Sequence, residues 1–290
     1  MSIGIVYALV AAIGYSFRSL LYKMVERHGF DRNLFLLSYR IFSIPISLFI
    51  LKLSDAQSLF LDFKSNVFSL IIIVVLISYI ADSLYFYGFS RIEMTLSSIF
   101  SRVAPVFSLI VSFLLLHEMP KSIAVFGIIL IVAVSIWVAK SMVSKAKTQN
   151  EGRGVIAFIV GNMLYTLNGT LISQIYAVSG GMSFVFFFSL LTCGIYLVSS
   201  IKDGSFSKLK GKNVKQYLLL FTLNFVAIIS FFSNVEAFGT ILVPVAYALT
   251  SFGFIFTFLL SYIFLGEREN LIKKIIATFG MLIGGFLTIS

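Results

Sequence analysis

Charge, cysteine and histidine are all scarce in this 290-residue chain. Charged residues make up 12% of it, against about 25% in soluble domains. The single Cys193 excludes an internal disulfide and a cysteine metal cluster. The only histidines, His28 and His117, form no HExxH pair and sit beside no carboxylate-histidine set, so a metallohydrolase lacks its ligands. No GxxxxGK[ST] stretch is present, which removes the phosphate-binding loop of a nucleotide-driven pump. The alternating segments of about ten residues that build a membrane barrel are also missing. No cationic region precedes the first apolar run, MSIGIVYALVAAIGYS, so that run is expected to remain as a span rather than be cleaved.

What is abundant is apolar surface. The chain is 59% hydrophobic, more than one aqueous core of this size can hide; about 45–50% is ordinary. A helical bilayer span needs roughly 20 apolar residues, and runs of that length recur along the sequence. They predict an all-α polytopic membrane protein with ten transmembrane helices: Ile3–Tyr22, Leu34–Leu53, Val67–Phe89, Met94–Leu116, Ile123–Ala139, Val155–Val178, Ser183–Ile201, Tyr217–Phe238, Val243–Leu265 and Leu271–Ile289. The polar stretch 140–153, KSMVSKAKTQNEGR, separates a first five-helix repeat, 1–139, from a second, 154–290.

The halves echo each other. From Tyr85 the segment ending HE at Glu118 aligns without a gap on the one ending GE at Glu267, pairing Phe107 with Phe256 and Ser112 with Ser261. Gly4 to Ser16 likewise lies over Gly154 to Thr166. Five spans is an odd number, so the second repeat starts on the opposite face and the repeats are inverted, an arrangement that suits alternating access.

These features carry a resemblance. The two helix-terminal glutamates, in His117-Glu118-Met119-Pro120 and Gly266-Glu267-Arg268, the second-span Leu37-Ser38-Tyr39-Arg40, Pro105, and the last-span Gly280 and Gly284 make the chain resemble the EamA-type members of the drug/metabolite transporter superfamily. Two positions depart from the family pattern: Tyr15-Ser16 replaces a frequent Trp-Gly, and Phe254 replaces a proline. The resemblance implies secondary transport across a bacterial inner membrane, no cofactor and no catalysis. The partners implied are a small-molecule substrate, the lipid bilayer and protons or a counter-substrate, with the chain a monomer or weak homodimer.

The net charge of +10 would suggest a nucleic-acid partner in a soluble chain. Here the cations sit in short loops. Lys23, Arg27, Arg91, Lys202, Lys208, Lys210, Lys212 and Lys215 belong to one side, while the other holds only Lys52, Lys64 and Lys121. Lys/Arg bias marks the first side as cytoplasmic and puts both termini outside; the family resemblance implies the reverse.

Charges inside a span cost about 2.5–3.5 kcal/mol each on insertion scales, so they mark candidate sites. Arg18, Arg40, Asp82 and Arg102 fall in one layer, on the order of 5–15 Å below the basic surface at 1.5 Å per residue. Asp82 and Arg102 flank the turn at Ile92 symmetrically, so an antiparallel hairpin puts them level as a candidate pair. For Arg40 and Arg102 a snorkelling or hairpin-pinning role stays open. Arg18 shares a helix face with Tyr15, Ser19 and Tyr22; Tyr165, Asn168 and Gly169 form the matching face in the second half. Ser98 and Arg102 align with Tyr247 and Ser251, and Tyr79, Tyr85 and Asn234 complete the expected substrate lining. Glu236, with Asp82, is the candidate for proton coupling; Glu118 and Glu267 read as structural helix ends. Arginine excess favours an anionic metabolite such as an amino acid, an organic acid or a nucleotide-like compound. An exporter of organic cations using Asp82 or Glu236 is the alternative, and an intramembrane enzyme or scaffold a remoter one.

Overall fold

The computed structural model describes residues 3–53, 65–101, 103–143, 149–266 and 271–289, and these are helical throughout apart from short turns. In order the helices are α1 (Ile3–Arg27), α2 (Arg32–Leu53), α3 (Ser65–Phe89), α4 (Met94–Phe100), α5 (Val103–Leu116), α6 (Ser122–Val143), α7 (Gln149–Ser179), α8 (Gly181–Lys202), α9 (Val214–Thr240), α10 (Val243–Thr250), α11 (Gly253–Leu260) and α12 (Leu271–Ile289). Among the described residues, eight segments are long and apolar enough to cross a membrane, counting Met94–Leu116 and Val243–Leu265 once each. Two shorter apolar stretches, Ser122–Val134 and Ile275–Thr288, lie in α6 and α12. The expected polar seam at 140–153 is partly helical: α6 runs on to Val143, and α7 begins at Gln149.

The expected fourth and ninth spans are each broken rather than continuous. α4 ends at Phe100 and α5 starts at Val103; α10 ends at Thr250 and α11 starts at Gly253. Pro105 sits in the first turn of α5, where a missing N–H is tolerated. It leaves the Ser101 carbonyl to the Ala104 N–H at 3.1 Å, one residue short of a helical bond. No proline marks the second break. There the Gly253 carbonyl accepts the Ser16 hydroxyl of α1 at 2.7 Å, and a Cβ on Gly253 would lie 2.7 Å from the Ala12 carbonyl oxygen. Close approach of α1 thus holds the break open. The far ends of these segments match too. His117 (φ 54°) and Gly266 (φ 71°) both take the left-handed conformation that ends a helix.

Packing follows long helix pairs: α3 along α7, α1 along α9, α2 along α8, and α6 against α12. Small residues permit the closest of these contacts. On α12, Gly280 faces Val134 and Gly284 faces Ile131 and the Gly127 carbonyl of α6. The last-span GxxxG therefore packs internally.

The ends of the bundle differ. At one, Ile5, Lys121, Ile241 and Thr288 surround a cavity of about 530 Å³, so the first and last helices have their outer termini together. At the other, the turn between α8 and α9 is clasped to the turn between α1 and α2. Asn33 donates to Asp203 at 2.7 Å, Lys208 pairs with Asp31 at 2.6 Å, and Lys212 donates to the His28 carbonyl. Burial raises the pKa of the Asp31 carboxyl, but the hydrogen bonds from Lys208 and the Asn33 N–H outweigh it and hold the group below its usual value. α9 then starts on a capping box, with Asn213 and Gln216 exchanging side-chain-to-backbone bonds at 3.0 Å.

Candidate functional site

A second cavity, of about 220 Å³, lies inside the bundle. α1, α2, α3, α4, α7, α9 and α10 supply most of its wall, with Ala104, Phe188, Gly253 and Thr257 from α5, α8 and α11. Spans two and seven, which pack against each other, both reach the wall, through Leu36, Tyr39 and Arg40 of α2 and Phe188 of α8. Toward the clasped end buried rings pack against one another. Tyr22 lies 4.5 Å from Phe86 and 5.6 Å from Phe35, centroid to centroid, and Lys23 ties the same end by donating to the Ile92 carbonyl at 3.1 Å.

Among the described residues the wall holds three charged groups: Arg18, Arg40 and Asp82. Arg40 is 5% exposed. Its guanidinium sits among the rings of Tyr39, Phe188 and Phe231, at 4.3, 4.5 and 5.0 Å. Its Nε and Nη1 have no hydrogen-bond partner among the described residues. Aromatic faces attract a cation, but they do not satisfy N–H donors, and a buried unsatisfied donor costs about 1–3 kcal/mol, more when charged. Arg18 is less enclosed. It lies 5.7–5.9 Å from the rings of Tyr15, Phe35 and Phe86.

Asp82 is 4% exposed. Its Oδ1 accepts the Tyr165 hydroxyl and its Oδ2 the Tyr196 hydroxyl. The described partners of this carboxylate are therefore two phenols, on α7 and α8; the candidate partner Arg102 lies outside the described residues. Tyr165 is fixed in turn. Its carbonyl accepts the Tyr247 hydroxyl at 2.8 Å, and its ring stands edge-on to Tyr85 at 5.5 Å. Asn168 donates to Ser78 at 2.8 Å, which leaves its buried Oδ1 without a partner; the Asn234 Oδ1 is in the same position.

Of the expected lining, Tyr15, Arg18, Ser19, Arg40, Asp82, Tyr85, Ser98, Tyr165, Asn168, Asn234, Tyr247 and Ser251 all reach this wall. Tyr79 does not: its hydroxyl bonds Ser199 at 3.1 Å and its ring packs 5.8 Å from Tyr196. Glu236 also stands apart, accepting the Tyr176 hydroxyl at 2.8 Å. Glu118 lines the larger end cavity, and Glu267 lies outside the described residues. Asn162 went unmarked although its spacing from Tyr165 places it on the same face of α7. Phe188 and Phe231 carry no distinguishing signal in a chain with 32 phenylalanines.

A cavity with fixed charges between broken apolar helices is what a membrane transporter needs. Residues 2–139 match the EamA-like transporter family. The match covers a little under half of the chain. With eight described segments long and apolar enough to cross a membrane, the chain is an integral multi-pass membrane protein whose first half is similar to EamA-like transporters. One solved crystal structure, at 16% identity, superposes with a TM-score of 0.72 over 98% of this chain and 95% of its own. That likeness shows one fold shared along nearly the whole of both chains. No curated protein matches the sequence.

Proposed function

We propose that this protein is a secondary transporter that exports or exchanges a small metabolite with an anionic group by alternating access. The observation that carries the reading is Arg40, a buried guanidinium with unsatisfied donors in the cavity wall. Arg18 adds a second cation, and the one described carboxylate of the wall has both oxygens occupied by phenols. A carboxylate or phosphate ligand supplies the missing acceptors through charge-assisted bonds. Export of organic cations through Asp82 or Glu236 fits less well, because Asp82 is engaged and Glu236 stands outside the wall. The test is flux of labelled organic anions into proteoliposomes. A transporter moves them, whereas an enzyme or a scaffold does not.

Alternating access rests on ten spans in two inverted repeats, 1–139 and 154–290, joined by 140–153. Three observations support this arrangement. The helix breaks fall at aligned positions, Phe100/Val103 and Leu249/Phe252 by the same offset, within one residue of the observed ends. The left-handed residues His117 and Gly266 align by that offset as well. Exchanging the halves also maps the major packing pairs onto themselves: α3–α7 becomes α9–α1, while α2–α8 and α6–α12 are each their own image. In such a scheme the ring cluster around Tyr22 and Phe86 is a closed gate.

We assign the clasped, lysine-rich end to the cytoplasm, by charge bias, and the shared termini to the outside. Ser205 in the α8–α9 turn is buried, so the exposed Ser207 is the better reporter. Ser207→Cys in a Cys193→Ala background is expected to resist an impermeant maleimide in intact cells and to react after lysis. Labelling in intact cells contradicts the assignment.

A further inference from the structure

We infer that the central cavity selects a small monoanion bearing a neutral hydrogen-bond donor, such as a hydroxy acid, and discriminates against amino acids. This rests on the anionic reading above and narrows it. Four observations point the same way.

The first is the charge balance. Arg18 and Arg40 against Asp82 leave one positive charge in the described wall. A monoanion neutralises it. Against these three described groups a dianion leaves a net negative charge, and a net-neutral zwitterion leaves the positive one.

The second is the state of Asp82. An ammonium group needs an acceptor carrying negative charge, and Asp82 is the one carboxylate in the described wall. It is 4% exposed, and its two oxygens already take the hydroxyls of Tyr165 and Tyr196. An amino acid's ammonium must therefore share these oxygens with the two phenols or be buried without a counter-charge.

The third is the set of acceptors that remain. Asn168 Oδ1 and Asn234 Oδ1 are buried, lie on wall residues and have no partner among the described residues. They are neutral amide oxygens. A hydroxyl or amide N–H satisfies them without bringing charge. The unsatisfied groups of the wall are thus cationic donors on Arg40 and neutral acceptors on the two asparagines.

The fourth is size. About 220 Å³ lies below the roughly 300–1,000 Å³ of pockets for drug-sized ligands, which suits a compact acid better than a nucleotide. The rings of Phe188, Phe231 and Tyr85 provide faces for an apolar body.

Five probes sharing one phenyl body separate these terms: phenyllactate, phenylpropionate, phenylalanine, phenylsuccinate and phenethylammonium. Binding to the purified full-length protein is measured by titration. Phenyllactate is expected to bind tightest, about tenfold or more above phenylalanine, a difference of about 1.4 kcal/mol. Asn234→Ala is expected to shrink the advantage of phenyllactate over phenylpropionate. Asp82→Asn adds one net positive charge, and is expected to shift the phenylsuccinate to phenyllactate ratio about tenfold toward the dianion. If phenylalanine or phenylsuccinate binds the wild type as tightly as phenyllactate, the selectivity inference is overturned while the anionic reading stands. An unchanged ratio in Asp82→Asn overturns the charge balance. Binding of phenethylammonium alone, or of none of the anions, overturns the anionic reading and the inference together.

Discussion

Arg40→Gln is expected to cut flux of the anionic substrate by about 100-fold while leaving thermal unfolding unchanged or slightly improved. Hydrogen bonds to a charged group contribute roughly 1.5–3 kcal/mol each, and two lost donors reach 100-fold readily at 1.4 kcal/mol per decade. Stability moves differently because Arg40 Nε and Nη1 bond nothing among the described residues; replacing a buried cation with a neutral amide strands no described partner of those donors. Arg40→Lys keeps the charge but loses the planar donor array and is expected to rescue little. Arg18→Gln should act in the same direction with a smaller loss, since Arg18 is only half-buried. A purely structural arginine gives the opposite pattern: unfolding on substitution, with normal flux per folded molecule. Flux and unfolding measured on the same preparation distinguish the two.

Gly88→Val is expected to leave almost no folded protein. Gly88 lies where α3 runs against α7, and a Cβ there collides with the Gly154 carbonyl and comes within 2.6 Å of Phe158 Cβ and 2.7 Å of the Phe158 nitrogen. Those are mainly backbone atoms, so the helices themselves must separate. Overpacking costs about 1–3 kcal/mol where side chains can adjust, and here they cannot. Separating α3 from α7 also pulls Asp82 away from Tyr165. Gly152, with open space around it, provides the control, and Gly152→Val should behave as wild type in size-exclusion profiles and unfolding curves. Normal folding of Gly88→Val contradicts the α3–α7 packing.

The apolar spans were legible because length and hydropathy suffice to find them. So was the polar layer, because a charge inside a span is expensive enough to stand out against 59% hydrophobic residues. Arg18, Arg40 and Asp82 reached the same wall for that reason. The helix breaks were less visible. Pro105 hinted at one, but the second depends on Ser16 of a distant helix meeting the Gly253 carbonyl, a tertiary contact with no local sequence mark. The partners of Asp82 were hidden in the same way, since Tyr165 and Tyr196 belong to helices far along the chain. The ring cage of Arg40 was illegible for a different reason. Phe188 and Phe231 look like any other phenylalanine facing lipid, and packing alone decides which of them meets a guanidinium. Glu236, conspicuous by its charge, accepts the Tyr176 hydroxyl and is not among the described residues of the wall.

The central claim is that the Arg18–Arg40 cavity carries an organic anion across the bilayer by exchange or alternating access. Counterflow in proteoliposomes tests it most directly. Vesicles loaded with unlabelled phenyllactate, or with the native anion once known, are diluted into a trace of the labelled compound. The account predicts transient accumulation of label above equilibrium by the wild-type protein, absent from Arg40→Gln and unaffected by external phenethylammonium. Equal accumulation by Arg40→Gln, or counterflow of phenethylammonium with none of the anion, contradicts it.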